Sequence, residues 1–147
     1  MKQEIHNICE RYRIENYTIN EDGSIDVDGD VNLINRGLEK LPVTFREVTG
    51  NFYCSDNKLT SLEGCPKTVG GNFNCYKNNL TSLEGGLETV GGAFSCRYNK
   101  LTSLKGGPKR VGGNFNCYNN KLTSLEGSPK RVGGNFYVVK ITYPNTY

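Results

Sequence analysis

The 147-residue chain has no Trp, one Met and a single His. With His6 alone, no nucleophile with a neighbouring base can be assembled from the usual side chains, so catalysis fits poorly. No segment approaches the roughly 18 apolar residues of a membrane span. The N-terminus, MKQEIHNICE, carries charges where a secretory leader has an apolar run. These absences point to a soluble cytoplasmic protein with no membrane partner. Neither sign of charge dominates, Lys+Arg numbering 18 against 15 Asp+Glu for a net +3. Bulk charge therefore makes nucleic acid an unlikely partner, since such binders are as a rule clearly basic. Any basic effect has to come from local clustering.

What the chain has in excess is glycine, 18 residues, and repetition. Val69, Val90, Val111 and Val132 each open a similar stretch, and successive copies are 21 residues apart. The cleanest copy is VGGNFNCYNNKLTSLEGSPKR, residues 111–131, and full copies begin at Val48, Val69, Val90 and Val111. A fixed period of this kind marks a solenoid, in which each coil packs only on its neighbours. Residues 27–47 form a degenerate first coil, with Val31, Leu33, Leu38 and Leu41 where later copies carry Phe, Cys, Leu and Leu. VGGNFYVVKITYPNTY ends the chain as a truncated copy. Its Val138, Val139 and Ile141 suggest a final strand, and Pro144 blocks further pairing, which reads as a C-terminal cap.

Within a copy, Phe and Cys two apart point to one side of a strand. Phe52, Phe73, Phe94 and Phe115 then stack over one another, with Leu62, Leu83, Leu104 and Leu125 completing the interior. Cys54, Cys75, Cys96 and Cys117 fall in one slot of successive coils. Stacked strands hold such side chains about 4.8 Å apart, wider than a disulfide's Cβ spacing of about 3.8 Å. Four sulfurs in a line also cannot surround one tetrahedral metal ion. The column reads as buried thiols, with no metal and no cofactor. Asn57, Asn78, Asn99 and Asn120 stand where the chain turns off the strand, placed to bond unpaired backbone groups. The Gly-Gly pairs, such as Gly91-Gly92, read as sharp-turn glycines. Segments such as Glu63-Gly64-Cys65-Pro66 are too short and too rich in Gly and Pro for a helix, so the far side of each coil reads as irregular turn.

Residues 1–30 read as an N-terminal cap and 31–147 as the solenoid. Ile5, Ile8, Cys9 and Tyr12 have the spacing of one helix face. The helix is too short to stand alone, so it should dock on the first coil. Residues 17–27, YTINEDGSIDV, carry β-rich arms around a Gly-containing turn, a hairpin signal. Asp22, Asp26, Asp28 and Asp30 do not match a calcium loop, because Gly29 precedes Asp30 and no Glu stands at the required distance.

The unit Phe-x-Cys-x-x-Asn-x-Leu, seen in Phe115, Cys117, Asn120 and Leu122, resembles the leucine-rich repeat L-x-x-L-x-L-x-x-N-x-L, with Phe and Cys in two Leu places. The resemblance covers residues 27–147. The wording CxxNKLTSLEGxPxxVGGxF behind the lead-in YTINEDGSIDVDGDV resembles small leucine-rich-repeat proteins of tailed bacteriophages. That resemblance implies a non-enzymatic binding scaffold, and in a phage setting one that binds and inhibits a host protein, such as a defence factor, in the bacterial cytoplasm.

With Phe and Cys inward, the residues between and just beyond them face out and are the ones that vary. The candidate protein-binding residues are Tyr53, Asp56, Asn74, Tyr76, Lys77, Arg97, Tyr98, Asn116, Tyr118 and Tyr137, with Ser55 and Ser95 in the same rows. Tyr and Arg are common interface anchors. Five or six strands make a face about 25 Å long. An alternative surface is the ridge of Lys67, Lys109, Arg110, Lys130 and Arg131, which could meet phosphates of a nucleic acid or a small ligand. Glu63, Glu84 and Glu126 recur beside it and blunt its field.

Overall fold

The computed structural model describes residues 1–138; the expected C-terminal cap built on Val139, Ile141 and Pro144 lies outside the described residues. The described chain is a β-solenoid with a 21-residue period and one helix. It begins with α1 (Lys2–Arg11), β1 (Tyr17–Ile19), β2 (Ile25–Val27) and β3 (Val31–Asn32). The coils follow as alternating short strands: β4 (Phe45–Val48), β5 (Phe52–Tyr53), β6 (Thr68–Val69), β7 (Phe73–Asn74), β8 (Thr89–Val90), β9 (Phe94–Ser95), β10 (Arg110–Val111), β11 (Phe115–Asn116), β12 (Arg131–Val132) and β13 (Phe136–Tyr137).

Odd-numbered strands from β3 to β13 form one six-stranded parallel sheet; β2 and the even-numbered strands from β4 form a second, with β1 antiparallel at its edge. The second sheet corrects the expectation of an irregular far side. The Glu63–Gly64 segment is indeed a turn, but the two residues before each Gly-Gly pair straighten and bond to their counterparts in the next coil. Val at the second position, buried as Val48, Val69, Val90 and Val111, is what closes this sheet onto the interior. The hairpin is not merely laid on the end: its strand β2 pairs in parallel with β4 and so starts the stack.

Identical residues meet one another inside. Phe52, Phe73, Phe94, Phe115 and Phe136 stack with ring centroids 5.2, 5.4, 5.1 and 4.9 Å apart, and Phe45 closes the column edge-on at 5.0 Å. Removing one inner ring is expected to cost about 3–5 kcal/mol. Leu62, Leu83 and Leu104 are fully buried, but Leu125 is 41% exposed. Its next position in register, Thr146, lies outside the described residues, so no described coil covers it. At the other end α1 buries Ile5 and Cys9 against the cluster that includes Ile14 and Ile25. His6, exposed as expected, bonds through Nδ1 to the Tyr17 hydroxyl at 2.5 Å.

The Gly-Gly pairs have a different cause from the one expected. None of them adopts positive φ; that conformation belongs to Gly64, Gly86, Gly106 and Gly127 in the turns. A Cβ on Gly91 would sit 2.3 Å from the carbonyl oxygen of Gly70, and one on Gly112 2.1 Å from that of Gly91. The pairs are therefore required by coil-to-coil approach at a corner. A side-chain ladder runs beside them: Asn51 Oδ1 accepts from Asn72 N–H, Asn72 Oδ1 from Ala93 N–H, and Asn114 Oδ1 from Asn135 N–H, each at 2.8 Å. Ala93 breaks it, having no oxygen to offer Asn114.

Candidate functional site

The candidate face is the outer side of the six-stranded sheet and the turn that leaves it. Its first row is Asn32, Tyr53, Asn74, Ser95, Asn116 and Tyr137, directly aligned from strand to strand. Its second is Ile34, Ser55, Tyr76, Arg97 and Tyr118, and its third Asn35, Asp56, Lys77, Tyr98 and Asn119. Phe and Cys alternate with these residues and are buried, which turns the rows toward solvent.

All ten predicted site residues lie on this face, Lys77 and Tyr98 exposed and the other eight half-buried. They are not equally free. Asn74 Oδ1 accepts the Tyr76 N–H at 2.9 Å and Asn116 Oδ1 the Tyr118 N–H at 3.0 Å. Half of each amide is thus committed to holding the chain as it leaves the strand. Ser55, expected to face out, is buried at 4% exposure; it is the shortest side chain in its row, set between Ile34 and Tyr76. Ser95, where its neighbours have Asn, buries its hydroxyl oxygen without a hydrogen-bond partner.

The aromatic groups form two clusters. The rings of Tyr76 and Tyr98 meet edge to face at 5.6 Å, and the Arg97 guanidinium lies 4.7 Å from the Tyr76 ring centre, within cation–π range. Tyr118 and Tyr137 are tilted against each other at 5.9 Å. Tyr98 stays 50% exposed, so the first cluster offers a preformed phenol beside a cation.

The third row has a backbone reason that sequence reading missed. Asn35, Asp56, Lys77, Tyr98 and Asn119 all have φ between 55° and 57°, the left-handed region that Asn and Asp tolerate best. What fixes this bend in the four full coils is the recurrent Asn one residue later; in the first coil Arg36 takes that place. Asn99 Oδ1 accepts the Leu80 N–H at 2.9 Å, and its Nδ2 donates to the carbonyls of Cys75, Cys96 and Arg97 at 3.1, 3.0 and 3.3 Å. Asn57, Asn78 and Asn120 repeat the arrangement. Three of five third-row residues are Asn or Asp, the one trace of the bend in the sequence.

The cysteine column is buried as expected, and desolvation pushes the thiols up: Cys117 to about 11, Cys75 and Cys96 well above their ordinary value. Cys75 and Cys117 Sγ each donate to the backbone carbonyl of the next coil, at 3.3 and 3.4 Å. Such groups are poor nucleophiles. In the basic ridge, Lys67 lies 4.0 Å from Glu88, and outside it Lys105 lies 3.3 Å from Glu126. Glu88 interrupts the ridge, leaving Lys109, Arg110, Lys130 and Arg131 together at one end of the stack. Among the described residues no helix is long and apolar enough to cross a membrane.

The chain matches no family model, no curated protein and no solved structure to which it was compared. The functional reading therefore stands on the rows themselves.

Proposed function

We propose that the protein is a non-enzymatic binding scaffold whose partner is another protein, held by the outer rows of the six-stranded sheet. The observation that carries this is the Tyr76–Arg97–Tyr98 cluster: large, rigid side chains, already packed against one another, with one ring half exposed. Anchors arranged before binding lose little conformational entropy when the partner arrives. Tyr98 also occupies a left-handed position where Asn would be easier on the backbone, so the ring is kept at a local cost.

The repeat resembles the leucine-rich-repeat unit and its wording that of small phage proteins. On that basis the partner is a host protein in the bacterial cytoplasm, and its inhibition, as of a defence factor, is the task. Purified wild type and a Tyr76→Ala/Tyr98→Ala variant, both shown to be folded by melting, are used to capture partners from bacterial lysate. A partner retained by wild type and lost by the variant supports the reading. Equal recovery of every captured protein removes this face from consideration.

A further inference from the structure

The second sheet carries a row of its own. Asp26, Glu47, Thr68, Thr89, Arg110 and Arg131 lie in register on consecutive strands. The valines that alternate with them are buried from Val27 to Val111, so the row faces solvent. Its charge is graded: two acids, two neutral hydroxyls, two cations. The position beyond the valines is occupied by Gly70, Gly91, Gly112 and Gly133, which leave that side of the row without side chains from Thr68 to Arg131, while Asp28 and Thr49 stand there beside Asp26 and Glu47. A shallow groove bounded by Glu47, Thr68 and Thr89 marks the middle.

A row graded in this way is complementary to itself when reversed. We infer that two copies of this chain pair through it, face to face with their stacks antiparallel. A half-turn about the strand direction, passing between Thr68 and Thr89, sets Glu47 against Arg110 of the second copy, while Asp26, already paired with Arg46 of its own chain, comes opposite Arg131 and adds little. Two-fold symmetry makes each contact occur twice. The flanking residues largely agree: Lys67, already near Glu88 of its own chain, also meets Glu88 of the second copy. Arg46 falls opposite Lys109, but its charge is met by Asp26 within its own chain. A parallel pairing would set like charge on like, which electrostatics disfavours. The row spans five strand spacings, about 24 Å, and one narrow strip is smaller than the roughly 800 Å² per partner of a standard interface. The dimer is therefore weak, and because its charges are exposed it is screened by salt.

Sedimentation of the full chain tests this at low and high ionic strength. Wild type should dimerise with rising concentration at low salt and dissociate at high salt. Glu47→Arg and Arg110→Glu should each weaken self-association at least about tenfold, since each reversal turns two attractive contacts into two repulsive ones. Mixing these two variants should restore the dimer, because both contacts between positions 47 and 110 in the mixed pair again join opposite charges. The double variant should dimerise alone for the same reason. A Tyr98→Ala variant should dimerise like wild type, which separates this surface from the tyrosine rows. Wild type that stays monomeric at low salt overturns the inference. So do single reversals that dimerise normally, or a mixture of folded variants that stays monomeric.

Discussion

Lys77→Asn should make the protein more stable, although it removes the largest exposed side chain of its coil. The residue sits at φ 57°, a conformation that costs an ordinary L-residue roughly 1–2 kcal/mol and Asn distinctly less. Lys77 is exposed, and among the described residues its side chain makes no hydrogen bond or ion pair. Nothing offsets the relief, so the gain should be about 0.5–1 kcal/mol. For a chain of this length that is a rise in Tm of about 1–4 °C. Asn119, in the same row at φ 56°, is the matched control: Asn119→Lys should lose about as much as Lys77→Asn gains. Urea unfolding measures both, with an unchanged slope showing that cooperativity is intact. The reasoning is refuted if Lys77→Asn is neutral or destabilising, or if Asn119→Lys has no effect. Should Lys77 also touch the partner, Lys77→Asn will bind more weakly while folding better, the usual opposition of stability and function.

Other outcomes follow from the packing. Gly91→Ala places a methyl 2.3 Å from the Gly70 carbonyl at a φ any residue accepts, so it should destabilise by about 1–3 kcal/mol through coil separation, measurable by urea unfolding. Ala93→Asn should restore the broken corner ladder by accepting the Asn114 N–H and stabilise by about 0.5–1.5 kcal/mol in the same assay. The buried thiols remain protonated in the folded state above the ordinary thiol value of 9.0, Cys117 up to about 11 and Cys65 up to about 12. The unfolded chain releases those protons first, so the thiol contribution should be flat below about pH 8 and stability should fall as pH rises through 9 toward 11, by up to about 1.4 kcal/mol per unit for each thiol. Unfolding titrations across that window check the sign.

Most of the architecture is legible because a repeat makes each residue meet its own copy. Phe over Phe, Cys over Cys and Asn over Asn follow from the period alone, and so does the inward side of the strand. Three features are not. The second sheet rests on two residues per coil, Thr68–Val69 and its counterparts, too short a segment for alternation to show. The Gly-Gly pairs look the same in sequence whether glycine is needed for its φ or for its missing Cβ, and only the spacing of the coils decides. The left-handed row is hidden by its own variety: Lys77 and Tyr98 make it look like free surface, while Asn35, Asp56 and Asn119 record the backbone. The same applies to Asn74 and Asn116, whose amides look available to a partner until their bonds to the following turn are seen.

Several departures from the repeat cluster together. Positive φ falls at Gly86, whereas Gly64, Gly106 and Gly127 keep the register that would have put it at Gly85. Leu87 replaces the Pro of Pro66, Pro108 and Pro129; Glu88 replaces a Lys; Ala93 interrupts an Asn ladder; Ser95 buries an unpartnered hydroxyl; and Tyr98 takes a left-handed position. These six fall between residues 85 and 98, in the middle of the stack, with Lys77, Asn79 and Lys105 as further departures on either side. In an array stabilised by nearest neighbours, a weak central coil threatens the cooperativity of the whole, where the same defects at an end would only fray it. Drift alone favours the ends. Irregularity held at the centre, from the turn before Val90 through the strand that leads to Arg97 and Tyr98, is the pattern expected where binding opposes the scaffold's own preferences. It locates the centre of the proposed partner surface at this coil and not at Tyr53 or Tyr137.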